Sequence, residues 1–388
     1  VQNVSLFSNL SSNLVSFNTM LLKLMSLKSV SLKPKPISAK VSSFVFKFML
    51  SGTAICSGYV AANNINDVIE AKPSFETYIQ AIKKEASEKG YSPEIIQSSF
   101  AKVTFHKRAV SADKSQPENV ETLDTYLPKR VPNWKINRAR DEFKKHEKLL
   151  NTVANKYGVQ PRFIVALWGL ETNFGKIMGN YNVISALSTM AYEGRREAFF
   201  KKQLWAALTI LEEGHISIDN MKGSWAGAMG QNQFMPTSFL SYAVDGDGDG
   251  KKDIWDNHAD VFSSMANYLK KEGWSDELTW GRQVKLPDNF DISLAIPKNT
   301  GSRANWLKAW SKTEKTLAQW QDLGIRRTDG TNLPKADVTA ALVFPDDANG
   351  RAYLAYNNYK SLMHWNLSYY FVTSVGHLSD RIKFPPVK

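Results

Sequence analysis

One carboxylate stands out by its setting. The segment Phe163–Gly175 reads FIVALWGLETNFG, and Glu171 is its only ionisable residue. A carboxylate among Ile164, Val165, Leu167, Trp168 and Leu170 must reach water, find a partner or keep its proton. Partial burial raises its pKa. A place in the last turn of a helix, at the negative end of the dipole, pushes the same way. A proton held near neutral pH is what a general acid for glycosidic cleavage requires. The competing reading is a glutamate on the wet face of an ordinary helix.

Two further segments have chemistry in their spacing. Gly223–Phe239 reads GSWAGAMGQNQFMPTSF. Its small residues let the backbone approach a ligand, and Gln231, Asn232 and Gln233 offer neutral donors and acceptors. Three consecutive amides suit a polyhydroxylated, acetamido-bearing ligand better than a plain turn. Asp245–Asp260 reads DGDGDGKKDIWDNHAD. Asp245, Asp247 and Asp249 stand at positions 1, 3 and 5 of an EF-hand-like loop, with Gly250 at position 6. Lys251 at position 7 would lend its carbonyl. Asp256 stands where a bidentate Glu is usual and is one methylene shorter. The competing reading is an acidic surface turn. A structural Ca2+ fits the pattern better than a catalytic metal, and catalysis itself needs no cofactor.

The elements that must position these groups read as mostly helical. Phe75–Lys89 and Pro93–Val103 form two amphipathic helices, divided by Gly90 and Ser92-Pro93. Residues 104–133 look irregular. One long helix spans Asn137–Tyr157, and another runs from Pro161 to Asn173, with Pro at its first turn. Further helices cover Glu197–Glu213, Pro236–Ala243 and Ala259–Glu272. From about residue 276 the pattern turns mixed. Strands are expected at Val284–Pro287, Val338–Phe344 and Arg351–Tyr359, the last two paired across Asp346–Gly350. Short helices lie at Trp306–Trp310 and Leu317–Leu323. A closing helix spans Asn366–Arg381. The fold class is therefore mainly α, with a small α/β insertion.

Composition sets the outer limits. The 388 residues carry 43% hydrophobic and 22% charged side chains, ordinary for a globular protein. The single cysteine, Cys56, excludes an internal disulfide framework and a Cys-based zinc site. About half of the net charge of +12 sits in residues 1–62, where Lys23, Lys28, Lys33, Lys35, Lys40 and Lys47 face no acid. No basic helix or zinc finger points to nucleic acid. Phe48–Ala62 is short, apolar and preceded by Lys40 and Lys47. It ends in Val60-Ala61-Ala62, so it reads as a cleaved export signal. A lipid-anchored form beginning at Cys56 is the rival, although Ile55 spoils the lipobox.

Together the motifs carry a resemblance. ALWGLETNFG and GSWAGAMGQNQFMPTSF resemble the signature of the membrane-bound lytic transglycosylase B family of bacterial cell-wall enzymes. So do YLPKRV at 126–131, YNVISALSTMAY at 181–192, RREAFF at 195–200 and WNLS at 365–368. The similarity runs from about Phe75 to Ile382. It implies a lysozyme-like helical core with Glu171 as the single catalytic acid. It places Ser224, Gln233 and Asn366 in a sugar-binding groove, with Gln231 and Tyr370 as further candidates; Phe371 stands where the family often has Tyr. It closes the metal loop with Asp260.

The implied activity is non-hydrolytic cleavage of the MurNAc-β-1,4-GlcNAc bond of peptidoglycan to 1,6-anhydro products. The alternatives are a hydrolytic lysozyme and a catalytically dead, calcium-stabilised wall-binding module. The implied setting is a monomer in the periplasm of a Gram-negative bacterium, acting on glycan strands, with other cell-wall enzymes as candidate partners. The expected organisation is a leader at 1–62 and a helical region at 63–150. The catalytic core then spans 151–275, the α/β subdomain 276–358 and a returning helix 359–388.

Overall fold

The computed structural model describes residues 72–114 and 121–383. The expected leader, Cys56 and the Val60-Ala61-Ala62 site lie outside the described residues. Helices α1 (Phe75–Glu88) and α2 (Pro93–Phe100) open the described chain. The Ser92 hydroxyl caps α2 by accepting the Ile95 N–H, and Pro93 fills a position where no N–H is needed. The stretch expected to be irregular instead holds α3 (Lys107–Lys114) and α4 (Leu123–Arg130). The second of these buries Leu123, Tyr126 and Leu127. Packing, not propensity, makes it a helix.

The single long helix expected over 137–157 is two helices, α5 (Asn133–Lys145) and α6 (Glu147–Tyr157). The break falls at His146, with φ −105° and ψ 15°. Its ring lies against Trp168 at 5.7 Å, His258 at 4.6 Å and Phe262 at 5.5 Å. The helical period runs through both halves, so only this tertiary packing reveals the break. Gly158, with φ 67°, ends α6.

Helix α7 (Pro161–Thr172) is buried along its whole length except at Pro161 and Glu171. A helix surrounded on all sides must be apolar on all sides, which explains its composition. It is wrapped by α5, α6, α11 (His258–Lys271) and α15 (Tyr369–Lys383). Between them come α8 (Val183–Glu193), α9 (Glu197–Glu212) and α10 (Pro236–Tyr242). The sequence reading had not marked α8 as a helix; Asn182, whose Oδ1 accepts the Ser185 N–H at 2.9 Å, was its signal. A two-stranded ribbon pairs β1 (Tyr181–Asn182) with β2 (Lys222–Gly223).

The mixed region is a five-stranded sheet, with helices α12 (Arg303–Thr313) and α13 (Leu317–Asp322) between its strands. Its strands are β3 (Gly281–Lys285), β4 (Lys315–Thr316), β5 (Arg326–Arg327), β6 (Thr339–Val343) and β7 (Ala352–Ala355). They lie in the order β4-β6-β7-β3-β5, and every neighbouring pair is antiparallel. The expected hairpin across 346–350 is present, with Val343 opposite Tyr353. Strand β7 is shorter than expected because the chain turns into α14 (Asn357–Trp365). The closing helix accordingly starts at Tyr369 rather than Asn366.

Strands β6 and β7 divide their side chains between two cores. Ala341, Val343, Tyr353 and Ala355 join the large helical core. Ala340, Leu342, Ala352 and Leu354 join a smaller one around Trp320 and Ile325. The period of two thus serves two apolar faces instead of one apolar and one wet.

The contact between sheet and helices is tightest at Gly376, where an added Cβ would lie 2.2 Å from the Trp280 ring. That indole is pinned, because its N–H donates to Asp380 at 3.1 Å and Asp380 pairs with Arg162 at 2.6 Å. Gly376→Ala is therefore expected to destabilise the fold by about 1–3 kcal/mol, as overpacking does. Urea denaturation would reveal it, and an unchanged midpoint would mean that the helix and sheet can slide apart.

Candidate active site

The end of α7 is locked before it can fray. The Thr172 hydroxyl accepts the Gly175 N–H at 3.1 Å and lies 3.2 Å from the Gln231 carbonyl oxygen, to which it can donate. Asn173, Phe174 and Gly175 then follow in left-handed conformations, with φ of 51°, 60° and 76°. For the two non-glycine residues this is a strained choice held by surrounding structure. Phe174 folds back over Gly169, where any Cβ would come within 2.6 Å of its ring. At Gly175 a Cβ would lie 2.5 Å from Gln231 Oε1, so the left-handed turn and the close approach both demand glycine there.

Glu171 emerges at this locked end. Its Oε1 accepts the Trp365 indole N–H at 2.6 Å. Trp365 is wholly buried and packs on Tyr268 at 4.7 Å and Phe234 at 5.3 Å. The Tyr268 hydroxyl donates to the His364 carbonyl at 2.7 Å, and burial pushes its pKa well up, so it stays a neutral donor. The carboxylate of Glu171 is therefore aimed by a stack of aromatic rings. Sequence reasoning marked Asn366 in the WNLS motif and passed over the neighbouring Trp365.

The amide loop separates residues that looked alike in sequence. Gln231 is buried, and its side chain bridges two tryptophans: Oε1 accepts the Trp168 indole N–H and Nε2 donates to the Trp255 carbonyl, both at 2.6 Å. That amide is spent inside the protein. Asn232 is also buried and donates to the Val261 carbonyl at 2.9 Å. Gln233 differs. It has φ 50°, and its Nε2 donates to the carbonyls of Met178 at 3.0 Å and Gly230 at 2.9 Å. Its donor end is anchored, which fixes the direction of the Oε1 acceptor.

Ser224 is buried, and its hydroxyl oxygen accepts the N–H groups of Ala226 at 3.3 Å and Ala228 at 3.1 Å. Asn366 is buried where α14 ends, its N–H on the Leu362 carbonyl at 2.9 Å, beside the indole that holds Glu171. Tyr370 is committed elsewhere: its hydroxyl donates to Asp346 and lies against the Glu121 carbonyl. Trp225 and Tyr369 are core residues, and Phe371 is buried.

The acidic loop brings three of its six expected ligands together. Carboxylate oxygens of Asp245, Asp247 and Asp249 lie within 4.8 Å of one another. The Gly250 and Gly248 N–H groups donate to Asp245 at 2.8 and 2.6 Å, holding its pKa below the usual range. An all-oxygen set of this kind fits a hard cation such as calcium. Asp256 and Asp260 fall outside the cluster. Asp260 is buried, and each of its oxygens accepts a backbone N–H at 2.6 Å, from Gly246 and Asp253. Burial pushes its pKa up to about 6. Lys251 donates its N–H to Asp249 at 2.8 Å. Asp253, missed in the sequence, folds the return of the loop by accepting the Trp255 and Asp256 N–H groups at 2.8 and 3.0 Å.

Residues 74–380 match the family described as Transglycosylase SLT domain. The chain belongs to that family. It is 38% identical over 157 residues to membrane-bound lytic murein transglycosylase B of Escherichia coli strain K12. That match covers 39% of this chain and 43% of the relative. SltB3 from Pseudomonas aeruginosa, solved with NAG-anhNAM-pentapeptide, superposes with a TM-score of 0.74 at 38% identity, over 80% of each chain. The Escherichia coli lytic transglycosylase SLT35, solved with calcium, gives 0.63 at 25% identity, over 80% of this chain and 93% of that one. The helical core around α7 is thus the lysozyme-like core of SLT domain transglycosylases.

Within this SLT domain, Gln231 acts as a crosspiece. Gln231→Leu would leave the Trp168 N–H and the Trp255 carbonyl buried and unpaired. Each such group costs about 1–3 kcal/mol. Chemical denaturation should register a loss of at least ~2 kcal/mol.

Proposed function

We infer that this chain is a lytic transglycosylase that cleaves the MurNAc-β-1,4-GlcNAc bond of peptidoglycan with Glu171 as its one acid and base. The observation carrying this reading is the Glu171 carboxyl, oriented at the end of an otherwise buried helix by the Trp365 indole. Glu171 first protonates the glycosidic oxygen, and the bond to the muramyl C1 breaks. The substrate's acetamido group stabilises the positive centre. The carboxylate then takes the proton of the muramyl C6 hydroxyl, whose oxygen bonds C1 and closes the 1,6-anhydro ring. The proton count balances and no water is consumed.

Gln233, Ser224 and Asn366 are the residues we assign to sugar positioning. Gln231 and Tyr370, expected beside them, have their polar ends committed within the protein and are left out of the set. We assign a structural calcium to Asp245, Asp247 and Asp249, with the Lys251 carbonyl, and with Asp260 clasping the loop. The relative solved with calcium supports this reading. The catalytic core is taken as 151–275, carrying the sheet at 276–358 as a subdomain. Among the described residues no helix is long and apolar enough to cross a membrane. The basic, acid-free leader supports export to the periplasm.

Two outcomes follow. Glu171→Gln keeps the shape of the side chain but can neither give nor take a proton. Release of anhydromuropeptides from purified sacculi, followed by mass spectrometry, should fall by more than the roughly 10²–10⁴-fold typical of one proton transfer. Reducing ends in place of anhydro ends would identify a hydrolase instead, and binding without release would identify a wall-binding module. Calcium should raise the thermal midpoint, by about 2.7 kcal/mol of stability at a hundredfold excess over its dissociation constant. Asp249→Ala should abolish that response.

A further inference from the structure

The turn that carries Trp365 is held from outside the catalytic helices. Helix α12 belongs to the α/β part of the chain, yet its Trp306 and Trp310 are buried in the large helical core. Arg303, the first residue of α12, is half-buried and donates from Nη2 to the His364 carbonyl at 2.8 Å. Among the described residues no carboxylate pairs with Arg303, so this carbonyl is what its guanidinium serves. The Tyr268 hydroxyl donates to the same oxygen at 2.7 Å. A carbonyl oxygen has two lone pairs, and here both are taken. The His364 side chain is fixed as well. Its Nδ1 lies 2.6 Å from Glu272 Oε2, and the Tyr242 hydroxyl donates to the other oxygen of Glu272.

The His364 carbonyl stands in the last turn of α14, where orphan C=O groups favour a cation. Capping that helix is one use of Arg303. The place of the carbonyl in the chain gives it a second. A peptide unit is planar, so the His364 oxygen, the Trp365 nitrogen and the Trp365 Cα move as one body. Fixing the oxygen fixes the direction in which the indole leaves the backbone, and that indole donates to Glu171 at 2.6 Å. The same helix fastens the far side of the turn. Trp306 follows Arg303 by three positions, on the same face of α12. Its indole N–H donates to the Tyr369 hydroxyl at 2.7 Å, and Tyr369 is the first residue of α15. The WNLS segment at 365–368 thus runs between two anchors on one helix face.

We propose that Arg303 is a positioning residue for the reaction: by holding the peptide between His364 and Trp365 it sets the aim of the Glu171 carboxyl. This rests on the role of Glu171 proposed above and gives the α/β part of the chain a share in proton transfer. The contacts run from the Arg303 guanidinium to the His364 carbonyl, and from the Trp365 indole to the Glu171 carboxyl. Misplacing a reacting group by about 1 Å costs up to ~10²-fold in rate, so a small shift of the turn is enough to be read in kcat.

The test is a double-mutant cycle on the whole protein with Arg303→Met and Trp365→Phe. Met keeps the apolar stem and removes the donor, while Phe keeps a ring and removes the indole N–H. Initial rates of anhydromuropeptide release over a range of sacculus concentrations give kcat and KM, and thermal melting establishes that each variant is folded. Arg303→Met is expected to lower kcat by at least about tenfold, with KM within about twofold of the parent. A smaller loss overturns the proposal. In the Trp365→Phe background the same substitution is expected to lower kcat by no more than about twofold, because residues acting along one path are not additive. A larger loss there overturns it and leaves Arg303 with a role independent of the indole. A rise in KM alone overturns it too and makes Arg303 a substrate contact. If Arg303→Met does not fold, Arg303→Lys takes its place in the cycle. It keeps the charge but not the planar fork, so the expected loss in kcat is at least about threefold, with the same comparison between backgrounds deciding. An inactive Glu171→Gln beside a fully active Arg303→Met rejects the positioning role alone, whereas a fully active Glu171→Gln rejects the role of Glu171 as well.

Discussion

A buried apolar helix that ends in a carboxylate poses one problem, and the structure answers it with the 2.6 Å hydrogen bond from Trp365 to Glu171. The two residues are 194 positions apart, so the acid at the end of α7 is aimed by the far end of the chain. A neutral indole N–H is a measured choice of partner. It orients the carboxyl through one short, directional hydrogen bond and carries no charge of its own. The geometry then propagates outward. Trp365 is held by Tyr268 and Phe234, Tyr268 by the His364 carbonyl, and the locked turn after α7 by Gln231.

Much of the site was legible in the sequence, for reasons that are local. Glu171 was the only charge in an apolar run, and Asp245, Asp247 and Asp249 sit at alternate positions that bring their carboxylates together; Asp256 and Asp260, expected with them, stay apart. What was not legible depended on direction. Gln231 and Gln233 are the same residue type two positions apart, yet one is spent bridging tryptophans and the other is anchored by its donor end. The difference is a left-handed backbone at Gln233, on which the sequence is silent. Tyr370 looked like a hydroxyl beside the groove, but Asp346 claims it from the hairpin of the sheet. Trp365 was passed over because an indole in an apolar setting reads as core, and in part it is core.

The fold shows the same division. Helices with their own caps or stops, such as those at Pro93 and Pro161, were readable. The break at His146 was not, because both halves keep a continuous apolar face and the interruption comes from rings on other helices. Helix α4 was hidden in a polar stretch because its stability comes from Leu123, Tyr126 and Leu127 meeting the rest of the protein.

Strands β6 and β7, each buried on both faces, tie the two cores into one cooperative unit. Neither core can open without stripping apolar surface from the other. The backbone amides of these strands should therefore belong to the slowest hydrogen-exchange class, freed only when the whole molecule unfolds. A sheet that is small in residues can in this way set the kinetic lifetime of the fold. It turns what would be two independently fraying halves into a single barrier against the proteases that act on transiently opened chains.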